Sequence, residues 1–447
     1  MKRLFNPSSI AVVGVSANPA KVGSTIFLNL INNGYGGKVY AVNPHHKELF
    51  GKRAYAKVSS IEGAVDVVVI ATPASTVPSI IRDAKKKTNN IIVISGGFGE
   101  SGNKDLEKKL KRVAPKNMVG PNCLGIYSAK SKFDTLFFAE HKLPRPPYGD
   151  TAIISQSGGV GSTILGLAAK EGVGIHSFVS YGNGYVLDES DFLMEYARNK
   201  EVGKILLYIE GVKDGRKFSK ALAYAQKRKP VIVLKAGKQG KAKQAATTHT
   251  GAIAGSYLTY KAVFKKARVV EAESFEKMFD YAKIFSQPRP NGNRLAIITN
   301  GGGLGVMAAD EAVKLSLELP QFTPSTTRML RKSLPSYVSV NNPLDVVADA
   351  AVERYKKSLQ AVMEDRNIDM VLVNILLQPP GMDTSLVETI RGFVGKKPLA
   401  VVVPGGMLES TLRRMLTQSG IPTYPYPERG VDALYTLYSS SKTSPTL

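Results

Sequence analysis

The residues able to do covalent chemistry are few, and they gather in turns rich in glycine and hydroxyl groups. Only five histidines occur in 447 residues. One of them, His249, stands in Ala246-Thr-Thr-His-Thr-Gly-Ala252, with no large apolar neighbour in the sequence. Near neutral pH an imidazole can act as base, metal ligand or nucleophile. Metal ligation needs further ligands at suitable spacing, and none lies nearby in the chain. A solvated histidine on a surface loop is the plain alternative. The rest of the chain weighs against it, because it supplies several glycine-rich anion-binding turns and no other obvious nucleophile.

Those turns come at the ends of apolar runs. In Ala152-Ile-Ile-Ser-Gln-Ser157-Gly158-Gly159-Val-Gly161 a strand enters a Ser/Gly turn that opens a helix, where orphan N–H groups and the helix dipole favour anions. Near the start, Gly14 and Gly23 bracket Ser16, Asn18 and Lys21 in a loop longer than the G-x-G-x-x-G of NAD proteins. Such a loop still presents backbone N–H groups to phosphate. NAD proteins place Asp or Glu after their second strand, to hold the ribose hydroxyls. Here that place holds Asn43-Pro44-His45-His46-Lys47, which suits a phosphorylated ribose, as in NADP or coenzyme A, unless these are ordinary loop residues.

Alternating strands and helices must position these turns. Apolar runs at Ile10–Val15, Lys38–Val42, Asp66–Ala71, Asn90–Ser95 and Met118–Gly120, with a helical pattern over Lys21–Ile31, predict a Rossmann-type domain over residues 1–127. Proline-rich Lys142–Gly149 predicts a linker, set at 128–149. Phe178–Tyr181, Asp188–Arg198, Ile205–Glu210 and Pro230–Leu234 continue the alternation through 150–286. The pattern then recurs. Ala296–Gly305 matches Ala152–Gly161, Val371–Leu377 matches Ile205–Gly211, and Pro398–Val403 matches Pro230–Lys235. The expected fold is therefore α/β, a Rossmann-type domain followed by two duplicated flavodoxin-like domains, 150–286 and 294–447. The copies differ where chemistry would sit. Glu210 is replaced by Leu376, and Pro404-Gly-Gly-Met407 leads to no Thr-His-Thr-Gly. One copy stripped of polar residues suggests that Glu210 and His249 work together.

Composition bounds the setting. A hydrophobic fraction of 43% and a charged fraction of 21% are those of a soluble globular chain. No signal-peptide or membrane-spanning run is evident. The single cysteine, Cys123, leaves no internal disulfide framework and no cysteine-built zinc site, so the cytoplasm is the expected compartment. The formal charge of +24 is spread along the chain with no nucleic-acid-binding signature. Polyanionic substrates, an acidic partner or life at high temperature account for it better than nucleic acid does.

Several stretches carry a resemblance to a known family. Asn6-Pro-Ser-Ser-Ile-Ala-Val-Val-Gly14, Gly120-Pro-Asn122-Cys-Leu-Gly125, Ser155-Gln-Ser-Gly-Gly159, Tyr208-Ile-Glu-Gly211, Thr248-His-Thr-Gly251 and Thr299-Asn-Gly-Gly-Gly303 stand in the order found in α subunits of ADP-forming acyl-CoA synthetases. These are typified by archaeal ADP-forming acetyl-CoA synthetase and related to succinyl-CoA synthetase. The resemblance spans essentially residues 1–445. It implies an acid–thiol ligase that converts acyl-CoA, phosphate and ADP to carboxylate, coenzyme A and ATP. His249 would be its phosphohistidine and Glu210 the carboxylate that orients it. Ser157, Gly158 and Gly159, with Thr250 and Gly251, would cradle the phosphoryl group. Gly14, Ser16, Asn18, Lys21, Gly23, Asn43, Pro44, Lys47, Thr72, Pro73 and Asn122 would serve coenzyme A. ADP and Mg²⁺ would bind a partner β subunit carrying an ATP-grasp domain, within a heterotetramer in the family's manner.

Gly182-Asn183 is followed by Gly184-Tyr-Val-Leu187, where family members generally carry a more polar stretch, which bears on the acid pocket. Asp188 and Asp191 read either as catalytic neighbours or as helix N-terminal carboxylates. Two other functions fit parts of the pattern: a coenzyme A-binding regulator without catalysis, and an NADP-dependent oxidoreductase.

Overall fold

A computed structural model describes residues 1–239 and 256–442. The chain forms two compact units, Met1–Ala169 with Gly174–Phe275, and Lys170–Val173 with Glu276–Leu447.

The first unit holds two sheets. In the first, Ser9–Val13 (β1), Lys38–Val42 (β2), Glu48–Leu49 (β3), Lys52–Tyr55 (β4), Val67–Ile70 (β5), Asn90–Val93 (β6) and Asn117–Val119 (β7) lie in the order β3-β4-β2-β1-β5-β6-β7. Only the β3–β4 pair is antiparallel. Without β3 this is the Rossmann order, which reverses between β1 and β5. Both of these strands are buried at every position, as a parallel sheet covered on two faces requires. β1 ends at Val13, short of the expected Val15, because Gly14 leaves extended geometry at φ +100°.

The second sheet contains Gly125–Ser128 (β8), Phe133–Asp134 (β9), Tyr148–Ser155 (β10), Ile175–Ser180 (β11), Lys204–Ile209 (β12), Val231–Lys235 (β13) and Val270–Ala272 (β14). Their order is β14-β13-β12-β10-β11-β8-β9. Five strands are parallel, with β8 and β9 added antiparallel at one edge. The 128–149 stretch, expected to be a linker, therefore contributes a strand to this sheet. An ion pair buried on both sides fastens it, Arg145 Nε donating to Asp134 Oδ2 at 2.8 Å. Arg145 also donates to the carbonyl of Phe138 at 2.8 Å. The prolines deny ladder bonds, but the guanidinium supplies the segment with others.

The third sheet, in the other unit, comprises Leu295–Thr299 (β15), Leu344–Asp345 (β16), Met370–Asn374 (β17), Leu399–Val402 (β18) and Thr423–Tyr424 (β19), all parallel, in the order β16-β15-β17-β18-β19. Strand for strand this repeats β11-β10-β12-β13-β14, the flavodoxin-like order. Register agrees too, with Ile205 opposite Val231 in one copy and Val371 opposite Leu399 in the other. Among the described residues no helix is long and apolar enough to cross a membrane.

Candidate functional site

The first site lies where the first sheet reverses its order. A cavity of about 730 Å³ opens at the carboxyl ends of β1, β2 and β5, lined by Gly14, Asn43, Pro44, Thr72 and Pro73. Its floor is apolar, with Val13, Val42, Val58 and Ile80, and its rim carries His45, Lys57, Arg82 and Lys86 against Asp83. An apolar floor under a cationic rim fits a nucleotide with several phosphates. The two loop glycines are there for space. A Cβ on Gly14 would meet the Ala71 carbonyl oxygen at 2.4 Å, and one on Gly23 would meet that of Gly14 at 2.3 Å. The helix Val22–Asn32 is thereby pressed onto the first turn, and its N-cap, Lys21, makes no side-chain cap. Its orphan N–H groups remain for an anion.

The other residues expected around coenzyme A hold the loop in shape. Asn43 Nδ2 donates to the Val15 carbonyl at 2.7 Å. Ser16 N–H donates to Ser24 Oγ at 3.0 Å, and Asn18 Oδ1 accepts from Ala20 N–H at 2.9 Å. The Lys47 side chain is exposed and does not line the cavity. Lys57, Arg82 and Lys86 were not among the residues expected there. Lys57 follows β4, while Arg82 and Lys86 lie in and just past the helix Val77–Ala84 after β5, so only the fold gathers them.

The second site is a cavity of about 230 Å³ lined by Asn122, Gln156, Ser157, Gly158, Gly159, Gly182, Asn183 and Glu210, with Phe137 and Phe138 on its apolar side. Asn122, expected in the coenzyme A region, lies here because the chain passes from β7 into β8 of the next sheet around it. Helix Gly158–Glu171 begins at this cavity, and Ser157 Oγ accepts from Val160 N–H at 3.3 Å. A Cβ on Gly159 would meet nothing within 4 Å, so the mouth of the helix is open.

Glu210, just past the end of β12, is buried and held from several sides. Gln156 Oε1 accepts from the N–H groups of Glu210 and Gly211 at 2.6 and 3.0 Å. Tyr208 Oη donates to Glu210 Oε1 at 3.2 Å. Lys235 Nζ donates to the Glu210 carbonyl at 2.7 Å, and burial pushes this ammonium down to about 8. The sequence names neither Gln156 nor Lys235. The signals were a polar residue between two serines and a lysine closing an apolar strand. Cys123 also lines the cavity, but burial pushes its thiol up to about 12, which removes it as a nucleophile.

His249, Thr250 and Gly251 lie outside the described residues. The strand that leads to them, β13, ends at Lys235 beside β12, which leads into Glu210.

Asp188 and Asp191 serve the helix Glu189–Arg198. Asp188 Oδ1 accepts from Ser190 N–H at 2.9 Å and Asp191 Oδ2 from Asp188 N–H at 3.1 Å, and Lys217 bridges both carboxylates. Their neighbour Glu189 is the carboxyl that faces inward. Burial, with Asp188 adding, pushes it up to about 7. The Tyr181 hydroxyl stands beside it without reaching ordinary hydrogen-bond geometry. Among the described residues no group of His, Cys, Asp and Glu could hold a metal ion.

Residues 8–129 match the family described as "CoA binding domain", 148–285 "Succinyl-CoA ligase like flavodoxin domain" and 295–446 "Ligase-CoA domain". The chain is 40% identical to "Acetate--CoA ligase [ADP-forming] I" of Archaeoglobus fulgidus, with 99% of it aligned and 64% of that longer relative covered. It is 38% identical to "Acetate--CoA ligase [ADP-forming] II subunit alpha" of Pyrococcus furiosus, over 98% of this chain and 97% of that one. A solved structure, "Ca. Korarchaeum cryptofilum dinucleotide forming Acetyl-coenzyme A synthetase 1 in complex with phosphate and ADP", superposes with a TM-score of 0.90 at 35% identity, covering 99% of this chain and 97% of the other.

Proposed function

Because the chain belongs to the family of ADP-forming acetate–CoA ligases, we propose that it is the α subunit of such an enzyme, converting acyl-CoA, phosphate and ADP to carboxylate, coenzyme A and ATP. The observation that carries this reading is Glu210 set beside the open mouth of the Gly158 helix in one small cavity. Coenzyme A as substrate is assigned to the Gly14 cavity, its phosphates to Lys57, Arg82, Lys86 and the N-terminus of Val22–Asn32.

In the first step a phosphate oxygen attacks the thioester carbonyl and the thiol of coenzyme A leaves, giving acyl phosphate. The backbone N–H groups at Ser157–Gly159 hold the phosphoryl oxygens, which suits a transfer that depends on positioning and charge stabilisation. The His249 imidazole then takes the phosphoryl group, and the carboxylate leaves with the bridging oxygen. Glu210 accepts a hydrogen bond from the imidazole and so fixes which ring nitrogen attacks. The phosphoryl group passes next to ADP. That step is assigned to a partner β subunit with an ATP-grasp domain and Mg²⁺, in a cytoplasmic heterotetramer. Relatives named as α subunits support a partner subunit.

The test is uptake of acid-labile phosphate from acetyl phosphate, mapped by mass spectrometry. The wild-type chain labels on His249. His249→Asn abolishes labelling, and Glu210→Gln slows it by about 100-fold, on the scale of other preorganised polar contacts. Undiminished labelling of His249→Asn sinks the reading. ATP synthesis from acetyl-CoA, phosphate and ADP is expected only after the β partner is added.

A further inference from the structure

No cationic side chain is found among the described residues lining the Glu210 cavity, yet the proposed function puts a carboxylate and a phosphoryl group there together. In so small a space the two anions repel strongly, since there is little room for screening water. A buried countercharge stands one residue behind the wall. Lys235 ends β13 opposite Ile209 and is 3% exposed. Its Nζ donates to the main-chain carbonyls of Glu210 and Ala236 and lies 4.7 Å from the centroid of the Tyr260 ring.

The second copy of the domain serves as a natural control. Strand register makes Leu376 the counterpart of Glu210, and Val403 that of Lys235. There Asn300 alone serves the backbone, accepting from Leu376 N–H at 2.8 Å and donating to the Leu376 carbonyl at 3.0 Å. A neutral amide thus does for Leu376 what Gln156 and Lys235 do together for Glu210. Burial penalises an ammonium far more than an amide, so holding the strand ends does not account for the lysine. The copy without the carboxylate also lacks the ammonium.

We propose that Lys235 is a positioning residue of the phosphoryl-transfer site, its ammonium fixing the main chain beneath Glu210 and supplying the positive charge that lets carboxylate and phosphoryl group share one cavity. This rests on the phosphohistidine reading of His249. Lys213 reaches the carbonyls of Asn183 and Gly184; burial and Lys111 draw its ammonium down, and the carboxylates that act on it are Glu107, Glu189 and Asp188. Among the described residues, the groups acting on Lys235 are Glu210 from β12, Tyr260 from helix Tyr257–Ala267, Glu271 from β14 and Lys238 beyond its own strand. With burial holding the ammonium near 8, its charge is present at neutral pH and lost as pH rises through that value.

The test times labelling of His249 in the full-length chain by acetyl phosphate, from about pH 7 to about pH 9.5. Wild-type labelling falls above about pH 8. Lys235→Met labels at least about tenfold more slowly at neutral pH and loses the alkaline fall. Lys235→Arg, charged at every pH used, labels well at neutral pH and also loses the fall. In a Glu210→Gln background Lys235→Met adds less than about twofold, because the lysine acts through the glutamate. Thermal unfolding reports whether each variant is folded, and the Arg variant keeps the test open should the Met variant not fold. A wild-type chain that takes no phosphate on His249 overturns the functional reading and this proposal with it. A labelled wild type, matched by Lys235→Met in rate and alkaline fall, overturns the role of Lys235 alone.

Discussion

Three neighbouring acidic residues, Asp188, Glu189 and Asp191, have different fates. The aspartates cap a helix and meet Lys217, while Glu189 is driven inward. Its carboxyl is held near 7 in the folded chain against about 4.3 when unfolded, so the folded state binds the extra proton between those values. Glu189 therefore lowers stability progressively as pH rises from about 4.5 through about 7. Glu189→Gln is expected to raise stability at pH 8 by at most about 4 kcal/mol, read as a higher thermal midpoint, and to change it little at pH 4. Equal shifts at both pH values would show that the buried charge is not the cause. The sequence places all three acids at a helix start but cannot say which one turns inward, because that is decided by how the helix packs in the fold.

Elements built from local pattern were the legible ones. Uninterrupted apolar runs mark β1 and β5, and the matched turns at Ser157 and Gly301 mark the duplicated domains. Gly14 and Gly23 were legible as the brackets of a glycine turn, although the mutual contact that explains both was not. Gly23→Ala is expected to force the helix Val22–Asn32 off the first turn, destabilising the chain by about 1–3 kcal/mol. Coenzyme A binding should weaken by at least tenfold on the same account, since 1.4 kcal/mol is about a factor of ten. Calorimetric titration with coenzyme A checks this, and unchanged affinity would place the ligand elsewhere. The β9 segment was illegible because its support is a buried ion pair whose partners stand apart in sequence, Asp134 and Arg145, amid prolines that read as a break.

At the scale of the molecule, duplication gives one chain an equipped and an unequipped version of the same five-stranded sheet. The amide bridge between first and third strands persists in both, as Gln156 in one and Asn300 in the other, so it belongs to the scaffold. Asn300→Ala should accordingly cost about 1–3 kcal/mol by leaving the Leu376 N–H and carbonyl without their partner, read as a lower unfolding midpoint. The cationic rim of the Gly14 cavity was beyond the sequence for a topological reason, since Lys57, Arg82 and Lys86 meet only when the sheet is wound.

The helix that begins at the Gly14 loop carries Asn29 further along, and Asn29 Nδ2 donates to the carbonyls of Leu136 and Phe138 at 2.8 and 3.1 Å. A wall of the Glu210 cavity thus hangs from the CoA-binding domain. Chimaeras that swap residues 1–127 between relatives will disturb the far chamber as well as the near one, unless the junction is moved beyond Arg145. The natural splice point is the end of the guanidinium clasp, not the end of the first sheet.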